Sequence, residues 1–189
     1  RFIGLIRREA EGKKIFIIGE SLGALFGLLW IAEKRGKVDG IICLSPAIKS
    51  RLHFTLAEYC AIFCAGILHP TQQFPVHFSA EMCTRDTAYQ EVMKNDPREY
   101  RCASAGFLLA VLRAQIRSFR IIQEIAIPTL FLLAGNDFLV DVTASRRLFL
   151  ALRVEDKQEI EYPDMYHALS IDLGKERVFQ DIEDWVKRA

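Results

Sequence analysis

The chain has 189 residues, of which 51% are hydrophobic and 26% charged, a balance that suits a packed domain and excludes wholesale disorder. Its 25 Lys and Arg against 24 Asp and Glu leave a net charge of +1, which gives nucleic acid no electrostatic footprint and excludes an acidic solvating tail. The five cysteines are odd in number and too sparse for a disulfide scaffold, and no apolar run reaches the ~18–20 residues of a membrane span. Free thiols in a reducing, cytoplasmic compartment are expected, with membrane association left open.

Residues 2–10 read as the last turns of a helix stopped by Gly12. Lys13–Gly19 is a short β-branched run, the pattern of a parallel strand buried on both faces. Leu22–Lys34 is a very apolar helix ending before Gly36, with Gly23 and Gly27 on one face for close approach to a sheet. Val38–Leu44 is a second buried strand. Residues 49–125 carry no buried-strand signal, look helical, and break at Pro70, Pro75 and Pro97. Pro128–Ala134 is a third buried strand, Thr143–Arg153 an amphipathic helix and Gln158–Tyr162 a fourth strand. Glu176–Arg188 closes the chain as an amphipathic helix. Strands separated by helices predict an α/β fold with a mostly parallel sheet. Residues 1–48 and 126–189 read as its core, and 49–125 as an insertion of helical character.

Gly19-Glu20-Ser21-Leu22-Gly23 fits G-x-S-x-G, a pattern common by chance. Between a buried strand and a buried helix it becomes a candidate nucleophile elbow, with the hydroxyl of Ser21 held at a helix N-terminus. A Gly-rich turn with a capping serine is the plainer alternative. A serine nucleophile needs a base, and the base needs an orienting acid. Of the four histidines, His53, His69 and His77 lie in the inserted stretch, and only His167 follows the last strand. Asp137 directly follows the third strand. Asp141 suits the cap of the next helix better, and Asp164 is too local to orient His167.

The segments IIGESLGAL, LFLLAGNDFLVD, ASRRLF and YPDMYHAL resemble the α/β-hydrolase superfamily, and within it the monoacylglycerol lipase, lysophospholipase and serine aminopeptidase branch. The likeness runs from about Lys13 to the C-terminus. It implies Ser21 as nucleophile, Asp137 as acid, His167 as base and an acyl-enzyme on Ser21. It also implies that 49–125 is the branch's cap. Ala24 stands where many relatives have Gly, a small change. The N–H of Leu22, next after the nucleophile, is the expected oxyanion donor. The second donor belongs to a loop after an earlier strand, and 12 residues before Lys13 cannot hold that βαβ unit. The chain is therefore expected to be the C-terminal portion of a larger hydrolase, lacking N-terminal strands and inactive by itself.

Phe54–Leu68 is nearly all apolar, with Glu58 its one charge. It could line an acyl pocket, touch a lipid surface, or pack between cap and core. Cys60 and Cys64 are expected as small core residues, since no further ligands suggest a metal, and Arg146 and Arg147 as a solvated face. The expected function is a serine hydrolase of lipid-type carboxylic esters (monoacylglycerol or lysophospholipid), without metal or cofactor. Peripheral membrane contact through the cap and the oligomeric state stay open. A serine aminopeptidase would need an acidic anchor such as Glu58 or Glu81. A non-catalytic α/β-hydrolase-like binding module and a thioesterase or perhydrolase with the same residues also remain.

Overall fold

A computed structural model describes residues 2–33 and 38–189. Helix α1 (Phe2–Glu9) ends ahead of Gly12, and strand β1 (Phe16–Glu20) runs directly into α2 (Leu22–Glu33). The expected end of α2 at Lys34–Gly36 lies outside the described residues. Strand β2 (Gly40–Leu44) is followed by α3 (Leu56–Leu68), β3 (Gln73–Pro75), α4 (Ala80–Cys83), α5 (Thr87–Asn95), β4 (Cys102–Ser104) and α6 (Ala105–Ile121). Strand β5 (Thr129–Ala134), α7 (Val142–Ala151), β6 (Lys157–Tyr162) and α8 (Lys175–Arg188) complete the chain.

The main sheet has the order β1-β2-β5-β6, with every pairing parallel. Its alternation sorts side chains onto two faces. Ile41, Cys43, Phe131 and Leu133 pack with α2, α6 and α7, while Ile42, Leu44, Leu130 and Leu132 pack against α8 through Val178 and Trp185. All residues of β2 and β5 are buried, as unbroken apolar runs in central parallel strands should be. Burying one such Leu, Ile or Phe side chain contributes about 1.5–3 kcal/mol.

Strand β1 has the sequence pattern of a strand buried on both faces, and without earlier strands beside it an exposed edge is expected. It is the edge of the described sheet, and Ile18 is 59% exposed because no described element covers its side. The two glycines of α2 differ from each other. A Cβ on Gly27 would stand 3.1 Å from the Ile41 side chain, so Gly27 does allow close approach, but Gly23 faces open space.

The inserted stretch is not wholly helical. Strands β3 and β4 pair antiparallel, too short and too exposed to leave an apolar signature. Helix α3 starts at a capping box, with Thr55 and Glu58 bonding reciprocally, and stops at His69–Pro70. Only Ile62 and Ala65 of α3 are buried. It therefore does not pack between two layers. One side meets α6, where Leu109 fits against Gly66, and the other presents Leu56, Tyr59, Phe63 and Ile67 to solvent. Cys60 and Cys64 are exposed on this helix rather than in a core, because α3 has a partner along one stripe only. Helix α6 spans both regions. Its first turns pack on α3, and farther on Ala114 joins the cluster around α2.

Candidate active site

The chain turns sharply between β1 and α2. Ser21 sits at φ 55°, a left-handed conformation that a side chain adopts only under constraint. Two features hold it there. The Ser21 N–H donates to Leu44 O at 2.9 Å, and its carbonyl accepts from Leu25 and Ala47. Gly19 explains the motif's first glycine, because a Cβ there would lie 2.6–2.7 Å from the backbone of Gly23 and Ala24. No side chain fits between β1 and the first turn of α2. As first residue of α2, Leu22 has an N–H without an intrahelical acceptor, beside the Ser21 hydroxyl.

The structure brings Ser21, His167 and Asp137 together in one hydrogen-bonded line. His167 Nε2 lies 2.9 Å from Ser21 Oγ, and His167 Nδ1 lies 2.7 Å from Asp137 Oδ2. Asp137 is 1% exposed and His167 5%. The other carboxylate oxygen of Asp137 accepts the N–H groups of Leu139 and Val140, each at 2.8 Å. With one oxygen fixed by two amides, the other is aimed at the imidazole. An ionised carboxylate only accepts, so Nδ1 carries the proton and the Nε2 lone pair faces the hydroxyl. Such a line can draw the proton from Ser21 as its oxygen attacks an electrophilic carbon.

The loops that carry these groups touch. A Cβ on Gly135 would lie 2.5 Å from Pro163 Cα, so the glycine beside the acid admits the backbone that leads to His167. The remaining histidines are elsewhere. His53 and His69 are exposed, and His77 stands 3.5 Å from Glu58. Asp141 caps α7 by accepting the Ala144 N–H and pairs with Lys49, which holds its carboxyl below the usual range, while Asp164 is exposed. Glu58 is engaged with Thr55, and Glu81 is lowered to about 2 by its bonds to Lys94 and Ser79. Arg146 is not on a merely solvated face. Its guanidinium bonds Glu159 at 2.8 Å and also Glu161, bracing α7 on β6.

Sequence reasoning missed three groups at this site. Glu20 accepts the Ser170 N–H at 3.1 Å and the Ser170 hydroxyl at 2.6 Å, tying the elbow to the loop that carries His167. Arg51 donates to the carbonyl of Asp137 at 2.7 Å. Residues 49–51 lie along the acid's loop, with a bridge between Ser50 and Val140. No local pattern marks these residues, since each partner is far away in the chain.

The family model described as "Serine aminopeptidase, S33" matches residues 1–174. Among curated proteins, the chain is 27% identical over 169 residues to phospholipase YtpA of Bacillus subtilis, covering 88% of this chain and 65% of that protein. It is 24% identical to the monoglyceride lipase of Homo sapiens, covering 97% of this chain and 61% of that one. The chain thus spans less than two thirds of the length of these relatives. The crystal structure of Paleococcus ferrophilus monoacylglycerol lipase superposes with a TM-score of 0.86 at 23% identity, covering 100% of this chain and 75% of that one. A soluble variant of Saccharomyces cerevisiae monoglyceride lipase, in complex with a substrate analogue, gives 0.84 at 18% identity, covering 99% and 67%. These two structures share its fold. With its parallel sheet and its elbow, the chain has the α/β-hydrolase fold and belongs to the family described as "Serine aminopeptidase, S33".

Proposed function

We propose that the protein hydrolyses lipid-type carboxylic esters, a monoacylglycerol or a lysophospholipid, with Ser21 as nucleophile, His167 as base and Asp137 as the acid that orients it. The observation that carries this is the line of hydrogen bonds from Ser21 Oγ through His167 to Asp137 Oδ2. Ser21 Oγ attacks the ester carbonyl carbon while His167 Nε2 takes its proton. The Leu22 N–H donates to the carbonyl oxygen as it becomes negative, an interaction worth about 2.7–4 kcal/mol for one donor. The tetrahedral species collapses, the C–O bond to the alcohol breaks, and His167 returns the proton to the leaving alcohol. Water then repeats the sequence on the acyl-Ser21 ester, releasing the carboxylic acid.

Residues 49–125 serve in this proposal as the cap over the site. The exposed apolar stripe of α3 (Leu56, Tyr59, Phe63, Ile67) supports peripheral contact with a lipid surface. Phospholipase YtpA and the monoglyceride lipases bear names that agree with a lipid ester. The two carboxylates considered as an aminopeptidase anchor, Glu58 and Glu81, are bonded to their own neighbours.

The test is a fluorophosphonate probe, read by mass spectrometry at Ser21. Labelling is expected in the parent and lost by at least about 10³-fold in His167→Ala, with none in Ser21→Ala. A parent that never labels would instead favour a non-catalytic binding module. Steady turnover of a nitrophenyl ester by the 189-residue chain is expected to be slow, with the Leu22 amide as the one oxyanion donor assigned.

A further inference from the structure

His167 sits in a loop that is held from two sides. Within the loop, the Leu169 N–H donates to His167 O at 3.1 Å, and the amides of Ile171 and Asp172 donate to Ala168 O at 3.0 Å each. This turn brings Asp172 back beneath Tyr166. Asp172 Oδ2 accepts the Tyr166 N–H at 2.8 Å, one residue before His167. Ala168, one residue after, donates its N–H to Cys83 O at 2.8 Å. The amides on either side of the imidazole-bearing residue are therefore both fixed.

The other bonds to Asp172 come from the inserted stretch. Its Oδ1 accepts the Arg85 N–H at 2.6 Å and the Thr84 hydroxyl at 3.0 Å. Arg85 Nε donates to Oδ2 at 3.0 Å, and the Arg85 guanidinium also reaches Leu173 O. Asp172 is 1% exposed. Burial alone would push its carboxyl up, but the bonds from Arg85, Tyr166 and Thr84 outweigh that and hold it below its usual range. A buried carboxylate with this many donors is fixed in place, and removing its one countercharge leaves it uncompensated.

We infer that Asp172 and Arg85 are positioning residues for His167, through which residues 83–85 of the inserted stretch set the base's orientation toward Ser21. The inference rests on the proposed role of His167. It adds that the reach of the base is controlled from outside the elbow and the acid loop. A shift of residues 83–85 then moves the imidazole relative to Ser21 Oγ. Misplacement on the order of 1 Å costs about 10²-fold in reactions of this kind.

The test uses the whole chain and two readouts. The first is the low-field proton NMR resonance of the His167 Nδ1–H, which depends on the bond to Asp137 and on no chemistry at Ser21. The second is the rate of fluorophosphonate labelling. Arg85→Met keeps the side-chain length and removes the guanidinium. Arg85→Lys keeps the charge but loses the fork. In Arg85→Met the resonance is expected to broaden or vanish, and labelling to slow by roughly 10- to 100-fold. Arg85→Lys should fall between parent and Met. Both readouts are taken well below the melting temperature, so a loss of stability alone would leave them unchanged.

If Arg85→Met does not fold, Arg85→Lys and Thr84→Val carry the measurement. Parent-like resonance and labelling in folded variants would overturn the inference. A parent that shows the resonance but never labels breaks the esterase proposal alone, and the resonance still decides the positioning role. A parent without the resonance overturns both.

Discussion

Strand β5 and helix α3 are both nearly unbroken apolar runs, yet they occupy opposite environments. Every residue of β5 is buried, whereas α3 buries only Ile62 and Ala65. The difference lies in what surrounds them. A central parallel strand has a neighbour on each edge and helices over both faces. Helix α3 meets α6 along one stripe, and its other faces carry Leu56, at 80% exposure, with Phe63 and Ile67. Apolar composition therefore measures a segment's demand for cover, and the number of packed neighbours decides whether that demand is met.

Substitutions of known geometry can sharpen or break this contrast. The largest effect is expected for Phe131→Ala in β5, about 3–5 kcal/mol of lost stability by chemical denaturation, because Phe131 is fully buried. Gly135→Ala should follow, at about 1–3 kcal/mol, since its methyl would overlap the backbone of Pro163. Thr55→Ala removes the capping box of α3 and should cost about 1 kcal/mol. Leu56→Ala is expected to change stability by no more than about 0.5 kcal/mol, even though it deletes a large apolar side chain. A Leu56→Ala loss comparable to that of Phe131→Ala would mean that α3 is covered in solution.

A pH series adds a charge-based version of the contrast. The Asp172 carboxyl lies below its usual value in the folded chain. Its contribution is therefore complete above the unfolded value of about 3.9 and is lost as pH falls through the lower folded value. Asp172→Asn should flatten the acid limb of stability by one titrating group. Parent and variant curves that run parallel from neutral pH down to acid unfolding would contradict this.

Much of the core was legible because central strands and an elbow leave local marks. The expected Lys13–Gly19 and Pro128–Ala134 agree with the observed β1 and β5 to within three residues at each end. Ser21, Asp137 and His167 could be selected because each lies in the turn or loop after a strand. What escaped depends on partners remote in sequence. Glu20 meets Ser170 across a separation of 150 residues, and Arg85 meets Asp172 across 87. A lone Glu or Arg carries no periodic signal. The exposure of Cys60 and Cys64 was equally invisible, because an apolar helix reads alike with one packed stripe or several. Strands β3 and β4, of three residues each, are too short for alternation to register.

The bridge from Ser50 to Val140 and the bond from Ala168 to Cys83 have a practical consequence for protein engineering. Residues 49–125 look like an exchangeable module, replaceable by the corresponding stretch of a relative. Their seams, however, run through the loops of Asp137 and His167. A chimaera joined at 48 and 126 would bring foreign partners to both loops at once. Grafts that retain Lys49, Ser50 and Arg51 on one side and Cys83, Thr84 and Arg85 on the other would exchange the α3 surface and leave those contacts native.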